Sequence, residues 1–291
     1  MKLKYRQSVC KVILILAKKM NLKQNIKQKI ISEALRNHIW IEKTNSKVEL
    51  ENFINRFKEK YIFSELIRIG GQSDGGYLLP NNLKDISYCY SPGVSNTANF
   101  EKELSDKYNI KSFMVDGSVD KAPISDPNFQ FLSKYLGTFS NNKFITLSDW
   151  LKQTSEDNEK GKILQMDIEG GEYDVLIYED GKTLSSFSTI IIEFHFLHQL
   201  FKDNFLKMVT SIFEKIYKYF SICHVHPNNC CGLAELDGIK VPRVMEITFI
   251  RNDYIDKSSS NKKVVLPNKL DRKNIGDIDD LIMPEIWWKK N

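Results

Sequence analysis

From Ile86 to Ile250, short β-rich runs alternate with stretches of helical period. No other feature constrains the fold of this chain as strongly. "ISYCY" (86–90), "KSFMV" (111–115), "KFITL" (143–147), "KILQMDI" (162–168) and "STIIIEF" (188–194) read as strands. Between the first two, Phe100, Leu104 and Tyr108 recur every four residues. After the fifth, Phe201, Phe205, Met208, Ile212, Ile216 and Phe220 recur at spacings of three and four. Strands separated by helices predict an α/β fold, a mostly parallel sheet covered on both faces. "SICHVH" (221–226) and "RVMEITFI" (243–250) have no helical pattern between them, only the turn-rich segment 227–242, so they predict an antiparallel pair.

Charge is unevenly spread. Residues 1–32 carry nine Lys/Arg and no acid, whereas the whole chain has a net charge of +5, so the remainder is net acidic. A basic nucleic-acid-binding face on the body is therefore not expected. Val9, Val12, Ile13, Leu16 and Met20 form a helical stripe, with Lys4, Lys11 and Lys18 on another. The stripe suits an amphipathic helix, either packed on the body or a second subunit, or lying on anionic membrane. Residues 1–60 are thus expected to form a basic helical arm, 61–252 the main domain and 253–291 a C-terminal extension. The longest early apolar run, "VILILA" (12–17), is far short of the about 20 residues a bilayer span needs. Five cysteines in no zinc-like spacing suit a reduced, cytoplasmic protein, peripheral at most to the inner membrane.

In open α/β sheets, ligands bind at the carboxyl ends of strands. Here those ends hold "SPGVSN" after the first strand, Asp116 after the second and Asp167 with Glu169 after the fourth. They hold Glu193 and His195 at the fifth, and His224, His226, Asn228 and Asn229 at the sixth. The stretch "LQMDIEGGEYDVL" (164–176) places acids and a double glycine where a buried strand turns into a helix. Glu169 or Glu172 alone could simply cap that helix; acids and imidazoles on several strand ends together point to a site. "SPGVSN" lacks the third glycine of a dinucleotide fingerprint. A glycine turn followed by an acid ending the second strand suits a nucleoside, with Asp116 accepting the ribose hydroxyls.

"RIGGQSDGGYLLP", "YSPGVSNTANFEKEL", "MDIEGGEYDVL", "IIIEFH", "HVHPNNC" and "VPRVMEITFI", in this order, resemble the FkbM-type S-adenosylmethionine-dependent methyltransferases over residues 65–252. The resemblance implies a class I methyltransferase (Rossmann-like) sheet of seven strands with the last antiparallel, and methyl transfer to an oxygen, commonly on a sugar or secondary metabolite. It places Gly93 and Ser95 in the cofactor loop and Asp116 at the ribose. Asp74 and Tyr77 fall beside the methionine moiety or the substrate. Asp167 and Glu193 match positions where related sugar O-methyltransferases hold Mg²⁺, and His195 stands two residues on; added imidazole suits Mn²⁺, Fe²⁺ or Zn²⁺. Without an ion, Glu193 and His195 would orient substrate, and His226 or Glu169 would take the hydroxyl proton. Asn228 and Asn229 could bind sugar hydroxyls or make a turn.

The expected protein is an O-methyltransferase of a sugar or glycan, surface polysaccharide included, with a divalent metal (Mg or Mn) assisting and no nucleic-acid partner. Membrane contact through the arm and homo-oligomer formation are its further expected associations. Two rivals stand beside it. One is a non-haem iron oxygenase using Glu193, His195 and His226. The other is an inactive module that keeps the cofactor fold.

Overall fold

A computed structural model describes residues 24–154, 161–256 and 262–290. Most of the basic stretch, including the 9–20 stripe and "VILILA", lies outside these residues. The chain divides into two compact units, Met1–Thr44 and Asn45–Asn291. In the first, helix α1 (Gln24–Arg36) is polar on most sides and pairs Glu33 with Arg36 at 3.0 Å.

The second unit opens with α2 (Lys47–Glu59). A capping box starts it: Ser46 accepts from the Glu49 amide while the Glu49 carboxylate accepts from the Ser46 amide. Leu50, Phe53, Ile54 and Phe57 are buried at helical spacing. Trp287, from the far end of the chain, sets its ring edge-on to Phe57 at 5.3 Å and donates its indole N–H to the Lys240 carbonyl at 3.0 Å. Side chains of α2 and of Leu266, Met283 and Trp287 therefore belong to the core of this unit.

Seven strands form the central sheet: β1 (Ile86–Pro92), β2 (Lys111–Val115), β3 (Phe129–Leu132), β4 (Gly161–Met166), β5 (Thr189–Phe194), β6 (Phe220–Pro227) and β7 (Met245–Arg251). Their spatial order is β3-β2-β1-β4-β5-β7-β6. β7 runs antiparallel to both neighbours and every other pairing is parallel. This order and the single reversed strand are those of the class I methyltransferase sheet. The helices α3 (Asn99–Tyr108), α4 (Leu147–Thr154), α5 (Glu172–Tyr178), α6 (Gly181–Leu184) and α7 (Asp203–Ile216) occupy the crossovers.

One expected strand moves. "KFITL" is not the third strand: Phe144–Ile145 pairs only with Tyr135–Leu136 in a separate two-stranded ribbon, and Leu147 already begins α4. The third strand is "FQFL", a partly exposed edge of only four residues. A hairpin, Leu66–Ile69 with Tyr77–Pro80, precedes β1. Its turn is "GGQSDGG", where the Arg68 guanidinium donates to the carbonyls of Gly71 at 2.6 Å and Ser73 at 2.9 Å. Among the described residues no helix is long and apolar enough to cross a membrane.

Candidate active site

Strand order reverses between β1 and β4, and a crevice must open at their carboxyl ends. Gly93, the residue after β1, has φ +87°; a Cβ there would lie 1.7 Å from the carbonyl oxygen of Asp167 after β4. Glycine is thus required both by backbone conformation and by contact between the two strand ends.

The crevice deepens into a cavity of about 680 Å³. Asp74, Tyr77, Gly93, Ser95, Asp116, Asp167 and Glu169 all line it. Asp116, 7 % exposed, accepts from the Ser95 amide at 2.7 Å, the Ser118 amide at 2.7 Å and the Ser118 hydroxyl at 2.6 Å. The Ser95 amide is therefore committed to Asp116, so the acid shapes the glycine loop as well as facing the cavity. Tyr135, Leu136 and Phe144 of the small ribbon add an apolar wall, which no sequence pattern announced.

A second group of side chains adjoins the cavity beyond β4. Ligand atoms of Asp167, Glu169 and His195 all lie within 4.8 Å of one another. His195 Nε2 is 3.3 Å from Glu169 and 3.8 Å from Asp167; Nδ1 faces Glu172 at 3.5 Å. Glu172 is fully buried and held by the amides of His195 at 2.7 Å and Gly170 at 2.8 Å. Burial works against a charged imidazole, but Glu172, Asp167 and Glu169 outweigh it and raise the His195 pKa.

Glu193 stands apart from that trio. The strand ends at Phe194, and Glu193 is not among the ligand atoms that converge around His195. Asp167 links the two: it faces His195 and hydrogen-bonds Glu193. Burial pushes the Asp167 carboxyl up to about 6 and Glu193 well above the usual range, so the two acids share a proton. Asn228 donates to Glu193 at 2.8 Å. It is a buried support for that acid and does not line the cavity. Asn229 is spent on the C-terminal segment, bonding the Ile275 carbonyl and amide, each at 2.9 Å. His226 is likewise outside the cavity lining. It is 5 % exposed, its pKa is lowered by burial, and its Nδ1 lies 3.9 Å from Asp271, whose other oxygen is 2.9 Å from His224. These two imidazoles join β6 to the C-terminal segment.

Three buried residues of this region escape sequence reasoning. Glu246 pairs in register with Glu193 on one side and His226 on the other, and burial pushes it up to about 8 against the Asn274 hydrogen bond at 2.7 Å. One acid inside the apolar run "RVMEITFI" is its only signal. Asn274 also bonds Asp74 at 3.1 Å, and nothing in its sequence neighbourhood marks it. Glu101 of α3 lines the cavity.

The methyltransferase FkbM domain model matches residues 95–221. No curated protein matches the chain at a significant level. Similar solved structures include the 16S rRNA (adenine(1408)-N(1))-methyltransferase from Catenulisporales acidiphilia (10 % identity, 64 % of this chain and 98 % of that one, TM-score 0.31). Spermidine synthase from Thermotoga maritima matches at 8 % identity over 70 % and 77 % of the two chains, TM-score 0.33. The Methanococcus jannaschii fibrillarin pre-rRNA processing protein matches at 9 % over 65 % and 82 %, TM-score 0.33. At these values the strand order, and not the likeness, identifies the fold. With that order, the β1–β4 crevice and the match of residues 95–221 to the methyltransferase FkbM domain in agreement, the chain is an S-adenosylmethionine-dependent methyltransferase.

Proposed function

We propose that the protein transfers the methyl group to a hydroxyl of a sugar or glycan, assisted by a divalent cation bound by Asp167, Glu169 and His195. The carrying observation is that trio, whose ligand atoms lie within 4.8 Å of one another beside the cofactor cavity. The residues fit a cation. Asp167 Oδ1 is buried without a hydrogen-bond partner. Two carboxylates with one imidazole suit Mn²⁺ better than Mg²⁺, which prefers oxygen ligands throughout, and Glu172 behind Nδ1 is the outer carboxylate that orients a ligating histidine. The carboxylates around the His195 ring favour positive charge there, so a proton and a cation compete for Nε2. Glu193 would act through Asp167, not as a ligand beside His195.

The donor carries its own leaving-group charge, so alignment and hydroxyl deprotonation remain for the protein. Asp116, fixed by three donors, would accept ribose hydroxyls and hold the cofactor while Gly93 lets the loop approach β4. Asp167 and Glu169 line the same cavity and would face the acceptor. A bound cation would lower the hydroxyl pKa and orient the oxygen. In the second reading, without an ion, Glu169 or His195 would take the proton; the close approach of His195 Nε2 to Glu169 favours these over His226.

The test is methyl transfer from labelled S-adenosylmethionine to fractionated cell extracts, with the product identified by mass spectrometry. Chelation should abolish transfer and Mg²⁺ or Mn²⁺ restore it. Full turnover by enzyme shown metal-free by elemental analysis removes the cation, and cofactor binding without any transfer leaves an inactive binding module. The basic stretch 1–32 is assigned to anionic membrane or a partner subunit; its deletion should reduce liposome association or change the oligomeric state while cofactor binding persists.

A further inference from the structure

Glu101 is the buried acid for which the arrangement above has no use. It lies in the first turn of α3, is 3 % exposed, and lines the cavity beside Phe100 and Gly75. Its partner is the hydroxyl of Ser91, itself fully buried near the end of β1 and 3.3 Å from Cys89 Sγ. Among the described residues no cation pairs with it, and burial raises its pKa. A carboxylate taken out of water without a counter-charge is costly, and a fold retains one most readily where a ligand brings the missing charge.

The cavity has a direction. Asp116 marks the ribose at β2, and Tyr135, Leu136 and Phe144 form the apolar wall suited to a base. Glu101, Tyr77 and Gly75 belong to α3 and the hairpin turn, and Tyr77 packs edge-on to Phe100 at 5.6 Å. The amino-acid part of the cofactor must lie toward this second end. That part carries an α-ammonium group with three donors. Asp74 is the other acid there, but it is exposed and already accepts from Asn274, so water screens it.

We infer that Glu101 receives the α-ammonium group of S-adenosylmethionine and so selects cofactors with an intact amino-acid tail. The inference rests on assigning this cavity to that cofactor. Glu101 is then a binding residue that the glycine loop alone does not supply, and Ser91 orients its carboxylate.

A thermodynamic cycle tests it by calorimetry. The ligands are S-adenosylhomocysteine, its desamino analogue and 5′-methylthioadenosine, each with wild-type protein and Glu101→Gln. Wild type should bind S-adenosylhomocysteine about 10- to 100-fold more tightly than the desamino analogue, the range of a charge-assisted hydrogen bond. In Glu101→Gln that gap should collapse, with 5′-methylthioadenosine bound as in wild type. An unchanged gap in the variant overturns the inference, as does equal weakening of all three ligands. Should the variant not fold, the wild-type comparison still decides: equal affinity for S-adenosylhomocysteine and its desamino analogue refutes an ammonium contact. If wild type binds none of the three, the cofactor assignment itself falls, and the inference with it.

Discussion

Replacing Asp167 by Asn should remove a loss of stability that sets in as pH rises toward neutrality, measured without divalent cations. Burial pushes Asp167 from its ordinary 3.8 up to about 6 in the folded protein, despite the opposing effects of His195 and the Glu193 hydrogen bond. Below the unfolded value both states hold the proton and no penalty exists. As pH rises from 3.8, the unfolded chain releases the proton first, and folded stability declines until pH passes about 6. At about 1.36 kcal/mol per unit, the ceiling is about 3 kcal/mol. The side chain is 26 % exposed and Glu193 shares the proton, so the effect should be nearer 1–2 kcal/mol on the order-of-magnitude linkage scale. Asn keeps the shape and cannot ionise. In urea unfolding with chelator present, Asp167→Asn should therefore gain on wild type by that amount between pH 4 and 7.5. Adding Mn²⁺ above pH 6 should stabilise wild type and not the variant, since a ligand of the folded state adds about 2.7 kcal/mol at 100 times its Kd. A stability difference that stays flat with pH, or that grows toward acid, would refute the buried-acid argument.

Three other substitutions follow from specific contacts. Gly93→Ala must place a Cβ 1.7 Å from the Asp167 carbonyl at φ +87°, so it should cost about 2 kcal/mol or more and sharply weaken cofactor binding; wild-type affinity in calorimetry would show that the two strand ends can separate freely. Asp116→Ala leaves the Ser95 and Ser118 amides without their acceptor, so cofactor affinity should fall at least about tenfold, and an unchanged Kd would remove Asp116 from the ribose site. Trp287→Ala empties a fully buried position packed on Phe53 and Phe57 and should lower unfolding free energy by about 3–5 kcal/mol; a loss below about 1 kcal/mol in urea titration would mean that the C-terminal segment contributes little to the core.

The sequence by itself determined the alternating architecture, because each strand buried on both faces must be apolar and each covering helix must be striped. It also determined where a ligand could sit. Gly93, Asp116 and Asp167 follow strand ends, and an open parallel sheet has its crevice there. Tertiary structure decided everything that depends on which distant segment meets which. The edge strand Phe129–Leu132, only four residues long, gains its place from pairing with β2. Phe57, in the expected arm, and Trp287, in the expected C-terminal extension, pack ring against ring, a contact across more than two hundred residues that no local period encodes. Within the site, alternation put Glu193 and His195 on one face, and only the folded chain shows His195 close to Asp167, Glu169 and Glu172. The acids Glu101 and Glu246 gain their meaning only from burial without a nearby counter-charge or from register with a neighbouring strand. Those are properties of the surroundings and not of the residue.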